Sequence, residues 1–192
     1  MGTAGNGLQD QLKKVSEFMS KGVETIITDR IRDAAYCKMV LNLTNSFTTL
    51  VGFKYREISS MPLFKKMLSN SMYEGVKILK AAGIKEFTVG NMPSWGKIKA
   101  SATLPDFITN GIFKRNLNKM VLSSMAQDII QRKSGVSELD SLLGHFVELA
   151  DRYKVDAPYN KTMYELCKNE FAKESFKPLT EEQVWEVIKK KL

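Results

Sequence analysis

Lys38, Asn42, Asn45 and Thr49 stand at i, i+4, i+7 and i+11 in the stretch "CKMVLNLTNSFTTL". At about 3.6 residues per helical turn, these four fall on one face of a helix whose other positions are mostly apolar or small. A lysine and two amides on one stripe are the right groups to line a cleft for a small polar molecule. Desolvation in such a cleft lowers a lysine's pKa, and a lysine tuned that way can give a proton to a developing alkoxide. The same spacing also fits a stripe that simply faces water, and periodicity alone does not separate the two readings.

Other chemistries are excluded by inventory. His145 is the only histidine and lies beside the apolar stripe of its own helix, so neither a histidine triad nor a histidine-rich metal site is expected, and a structural or surface role is. Cys37 and Cys167 lack metal-ligand or redox spacing and read as reduced, partly buried thiols. No G-x-G-x-x-G follows a strand, there is no G-x-x-x-x-G-K-[ST], and "GTAGNG" from Gly2 to Gly7 reads as a turn or frayed end. The net charge of +8, from 29 Lys plus Arg against 21 Asp plus Glu, attracts anions without choosing among them. Its basic residues are scattered in "KKVSEF", "FKRNLNK" and "IKKKL" without interleaved aromatics, which favours solvated helix faces over nucleic-acid contacts. No apolar run approaches the ~20 residues of a membrane span, and the first residues lack the basic and apolar regions of a signal peptide. The expectation is a cytoplasmic protein.

The elements that must position the stripe are helices. "IRDAAYCKMVLNLTNSFTTLV", Ile31 to Val51, has helical spacing, although its threonines lower the propensity. Pro62 to Ala82 opens on a proline suited to a first turn and stops at Gly83. Lys85 to Thr103, punctuated by Gly90, Pro93 and Gly96, reads as a loop excursion. A helical pattern then runs from about Pro105 to Arg132 and breaks at "KSGVS", where Ser137 can cap the next helix. That helix places Leu139, Leu142, Leu143, Phe146, Val147 and Ala150 on one face. Tyr159, Met163, Leu166, Cys167 and Phe171 form another apolar stripe. A last helix has capping-box spacing between Thr180 and Gln183 and closes on Lys189, Lys190 and Lys191. Only "VETIITD", around Ile26, hints at a strand. The fold class is all-α, with no internal repeat or internal linker.

Three downstream stretches carry a family resemblance. "SSMAQDI" at Ser123–Ile129, "SELDSLLG" at Ser137–Gly144 and "APYNKTMYEL" at Ala157–Leu166 occur in the order of the "SSMxQD", "TEIDxxNG" and "TPxNxxLYxL" segments of the ketopantoate reductase family. Upstream, "KGVETIITDRIRDAAYCKMVLN" resembles that family's approach to its catalytic helix. The four matches extend from about Lys21 to Leu166. The resemblance implies a helical bundle-like domain of the 6-phosphogluconate dehydrogenase C-terminal-like type, which in complete members packs on a Rossmann domain that binds NADPH. It implies Lys38 as the catalytic lysine that protonates the substrate carbonyl, and Asn42 as a substrate-holding asparagine. It places Ser124 on the serine that contacts the substrate carboxylate, and Glu138 on the glutamate that binds a substrate hydroxyl. Residues 1–20 resemble the end of the inter-domain junction, and residues 21–192 the helical domain.

This chain departs from the family pattern at several positions. Where the family has a second asparagine eight residues after the lysine, this chain has Ser46, with Asn45 one position early, so either could serve. About two extra residues separate Ser124 from Glu138, Ser137 stands for a threonine, and Leu143 stands for an asparagine. Nothing in these 192 residues reads as a dinucleotide domain. Two classes of function follow. One is the substrate-binding half of an NADPH-dependent 2-oxo acid reductase, of the kind that turns ketopantoate into pantoate for pantothenate, inactive until a Rossmann domain is supplied. The other is a non-catalytic helical module that binds a small acid or a protein partner, or forms a homodimer.

Overall fold

In the computed structural model, residues 1–2, 9–134 and 137–192 are described, and among them regular structure is helical with no strand. The architecture is organised around α4, Met61–Ala81. Pro62 opens it, and Gly83 (φ 72°) closes it: Gly83 N donates to Lys80 O and Ile84 N to Leu79 O, with Ile84 buried against the core. These are the two bonds of a Schellman ending, in which glycine takes the left-handed position at little cost. Phe64 of α4 is wholly buried and stacks near Phe47, Phe53 and Phe113, with ring centroids 5.2, 5.4 and 6.4 Å away.

Around α4 lie α2 (Ile31–Asn42), α3 (Thr44–Leu50), α5 (Trp95–Thr103), α6 (Asp106–Leu117), α8 (His145–Arg152), α9 (Pro158–Phe171) and α10 (Glu181–Lys189). α1 (Gln9–Met19) precedes them and keeps Val15, Phe18 and Met19 exposed. Helices α2 and α4 cross where α4 carries Gly75. A Cβ there would come within 2.6 Å of the Leu43 side chain at the end of α2 and 3.4 Å of Val40, so these side chains fill the space that the glycine leaves.

Buried ionisable side chains also tie the helices together, each at or just ahead of a helix N-terminus. Glu74 accepts from Tyr159 N (3.0 Å) and Asn160 N (2.8 Å) at the start of α9, where a carboxylate is favoured by the free N–H groups. Glu181 lies just ahead of α4, accepting from Ser59 N (2.9 Å) and from the N-cap Ser60 N (3.3 Å) while pairing with Arg56 at 2.6 Å. Lys65 reaches into the first turn of α6, bonding Asp106 (2.7 Å), Thr109 and Asn110 (2.9 Å).

Several sequence expectations hold and others need correction. The all-α class, the Pro62 start, the Gly83 stop and the capping box of α10, with both reciprocal bonds formed, are as read. Ile31–Val51 is divided at Leu43, but Leu43 keeps right-handed helical angles (φ −53°, ψ −29°), so the polar stripe continues through the join. The strand hint at Ile26 fails: residues 23–28 are irregular, with backbone bonds from Thr28 N to Met1 O and from the Met1 amino group to Ile26 O. The loop read over Lys85–Thr103 contains α5. Ser94 accepts from Lys97 N (3.3 Å) as its cap, and Glu86 accepts from Trp95 N at 2.6 Å. The single helix read over Pro105–Arg132 is broken: α6 ends at Leu117, residues 118–123 are not helical, and Ser123 takes extended angles (φ −73°, ψ 154°) as it starts a new turn. Of the glycine-rich "GTAGNG", residues 3–7 lie outside the described residues.

Candidate active site

The polar stripe descends from solvent into the protein. Lys38 is exposed, Asn42 and Asn45 are half-buried, and Thr49 is wholly buried. Ser46 lies off the stripe: its side chain is fully enclosed and its hydroxyl has no hydrogen-bond partner among the described residues, while its carbonyl accepts from Cys167 Sγ at 3.6 Å. Of the two residues able to replace the family's second asparagine, Asn45 is therefore the one that shares the accessible face with Lys38 and Asn42.

Beyond the stripe's buried end sits the segment of Ser123 and Ser124. Ser123 Oγ caps the short α7 (Ser124–Ala126), accepting from Ala126 N at 3.1 Å, and lies 3.4 Å from Thr49 Oγ1. Met125 and Ala126 are buried and seat this turn on the core. Ser124 remains exposed and donates its hydroxyl proton to Glu138 Oε1 at 3.0 Å. Two residues 14 positions apart are thus joined across the "KSGVS" break, and Ser137 Oγ accepts from Leu139 N (3.3 Å) as the chain turns back into helix.

Both segments run into wide π-helical turns, Gln127–Gln131 after Ser124 and Asp140–Gly144 after Glu138. Each π turn admits an extra residue and re-aims the side chains around it, a feature that recurs at functional sites. The second is held by Tyr164, which donates to Asp140 Oδ1 at 2.7 Å. This hydrogen bond, with a smaller contribution from burial, pushes the Tyr164 phenol above its ordinary range. Gly144 permits the arrangement, since a Cβ there would sit 3.1 Å from the Tyr164 ring.

The helix carrying Lys38 has its own brace. Tyr36 Oη lies 3.1 Å from His145 Nε2, and the two rings stack at 5.8 Å. His145 is thus a link between α2 and α8, in keeping with the structural role expected of it. Next to Lys38, Cys37 is buried: desolvation pushes its thiol upward, although Phe87 N donates to its sulfur at 3.3 Å. The Tyr36–His145 link had no signal in the sequence beyond the nearness of Tyr36 to Lys38.

The fold and the site together define a class: an all-helical domain with a lysine and two amides on one face of α2 and α3 and a hydroxyl–carboxylate pair joining two neighbouring turns. A family model described as "Ketopantoate reductase PanE/ApbA C terminal" matches residues 30–170, and the chain belongs to that family. No curated protein and no solved structure matches it. No helix among the described residues is long and apolar enough to cross a membrane. The described residues form no strand, so none of them builds the strand, glycine turn and helix N-terminus with which a Rossmann fold takes up a dinucleotide's pyrophosphate.

Proposed function

We propose that this chain is the substrate-holding and proton-donating half of an NADPH-dependent reductase of 2-oxo acids, with ketopantoate or a similarly branched acid as substrate. The observation that carries this reading is the hydrogen bond between Ser124 and Glu138, the two substrate contacts that the family pattern assigns. It lies on a turn that touches the end of the Lys38 stripe through Ser123 and Thr49.

Each group suits a part of such an acid. The Lys38 ammonium donates a proton to the carbonyl oxygen as that oxygen gains charge. Asn42 and Asn45 supply amide donors that fix the carbonyl's direction, Ser124 donates to the carboxylate, and Glu138 accepts from a substrate hydroxyl. The hydride comes from a nicotinamide held elsewhere, on a Rossmann domain, and no step of the reading depends on its geometry.

The test is to combine the chain with a family nucleotide-binding domain and follow NADPH oxidation in the presence of ketopantoate. Lys38→Ala should lower kcat by roughly 10²–10⁴-fold, the usual contribution of a positioned general acid. Absence of NADPH oxidation, or unchanged turnover in Lys38→Ala, would show the reading to be wrong.

A further inference from the structure

An exposed serine bonded to an exposed carboxylate has no intrinsic reason to hold one direction, because both side chains can exchange their partner for water. Something else must set the aim of Ser124. The turn it opens is fastened in two ways. Met125 and Ala126 bury apolar surface, which resists lifting of the turn but is non-directional. The directional fastening is polar: Ser123 Oγ accepts from Ala126 N at 3.1 Å and meets Thr49 Oγ1 at 3.4 Å. Thr49 is well chosen for this purpose. It is wholly buried, β-branched and inside α3, so its hydroxyl is confined to few rotamers. It is also the last member of the stripe that begins at Lys38.

From these contacts we infer that Thr49 is a positioning residue that acts through Ser123 to hold Ser124 and Glu138 in register with Lys38, Asn42 and Asn45. The stripe then has two functions along its length. Its exposed end meets the substrate, and its buried end braces the separate turn that supplies the other contacts. This inference rests on the reading of the site given above.

The test uses the full chain and NMR titration with 3-methyl-2-oxobutanoate as the probe. Saturable shifts are expected in the wild-type protein, and Ser124→Ala should abolish them. Thr49→Val keeps the shape of the side chain and removes only the hydroxyl. It should weaken binding by about tenfold, the size of one lost hydrogen bond, while the spectrum stays folded. Thr49→Ser should bind within about twofold of wild type, because it restores the donor and acceptor. Ser123→Ala removes the same link from the other side and should weaken binding at least as much as Thr49→Val. If Ser124→Ala loses binding while Thr49→Val and Ser123→Ala both bind as wild type does, the inference is overturned and the site reading stands. If wild type does not bind, or Ser124→Ala binds normally, the site reading fails and the inference fails with it.

Discussion

Glu74 offers the sharpest test of the energetics, because two strong effects oppose each other on one carboxylate. It is 3% exposed, which penalises its charged form, yet it accepts two backbone N–H groups at the start of α9, which favour that form. Burial dominates: Glu74 is raised from 4.5 to about 7, with the N–H groups of Asn160 and Tyr159 and the Lys77 ammonium pulling it down and Asp156 pushing it up. Between these two values the native state holds a proton that the unfolded chain has lost, so stability is full below 4.5 and declines as pH rises through about 7. At about 1.4 kcal/mol for each pH unit, this interval amounts to about 3 kcal/mol. Glu74→Gln cannot ionise and keeps one acceptor oxygen, so it carries a fixed cost of about 1–2 kcal/mol for the backbone N–H left unmatched. Urea unfolding of both proteins at matched pH, from about 4 to about 8, isolates this residue, because the other titrating groups cancel in the difference. The wild type should be the more stable at the acid end, and its advantage should shrink by about 3 kcal/mol towards the alkaline end and reverse there. A difference that does not vary with pH, or one that grows with it, would mean that the α9 N-terminus outweighs burial, and the reasoning would be refuted.

Glu181→Ala should destabilise the fold by about 3 kcal/mol in the same denaturation assay, since it removes the carboxylate partner of Arg56 and the acceptor of the Ser59 and Ser60 N–H groups ahead of α4 at a buried site. Gly144→Ala should cost about 1–3 kcal/mol by driving the Tyr164 ring aside. Tyr164→Phe should cost about 1 kcal/mol, and the double variant should cost less than the two together, because both break the contact with Asp140. Cys167 is wholly enclosed and burial holds its thiol well above the ordinary range, so it should resist a thiol reagent in the native protein and react once urea unfolds it.

What could be read from the sequence was whatever depends on neighbours along the chain. Pro62, Gly83 and the Thr180–Gln183 pair act within one helical turn, and those ends were correctly placed. Helix α5 has a local cap in Ser94, but Pro93 and Gly96 read locally as breaks, and its start is fastened further by Glu86, nine residues upstream, meeting Trp95 N. The break between Leu117 and Ser124 has a similar cause: α6 ends at Leu117, and Ser123, which opens the next turn, meets Thr49 across 74 positions. Glu74, Lys65 and Glu181 resemble surface charges in sequence, and only the helix ends packed on them explain their burial. At the site, spacing placed Lys38, Asn42, Asn45 and Thr49 on one face. It could not say that the face dips from water into the core, nor that Ser46 turns inward.

That gradient bears on how the proposed chemistry would work. An acid that protonates a developing alkoxide is most effective where water is excluded, because its attraction to the new charge is then unscreened. Lys38 stands at the solvent end of its stripe, while the helix beneath it packs on α4 at Gly75 and is linked to α8 by Tyr36 and His145. The lysine thus stands on a packed helix but is not enclosed by it. In a reductase built on this chain, the enclosure must come from the surface that brings the hydride donor, so that docking that surface and excluding water from Lys38 are a single event. Binding of the acid by this chain alone would then be weak and governed by Ser124, Glu138 and their brace, whereas Lys38 would matter chiefly to turnover. Lys38→Ala should accordingly leave 3-methyl-2-oxobutanoate binding to the isolated chain within about threefold of wild type, as one exposed charge contributes at most about 1 kcal/mol. Loss of that binding in Lys38→Ala would show that the stripe's exposed end holds the substrate before any partner surface closes over it.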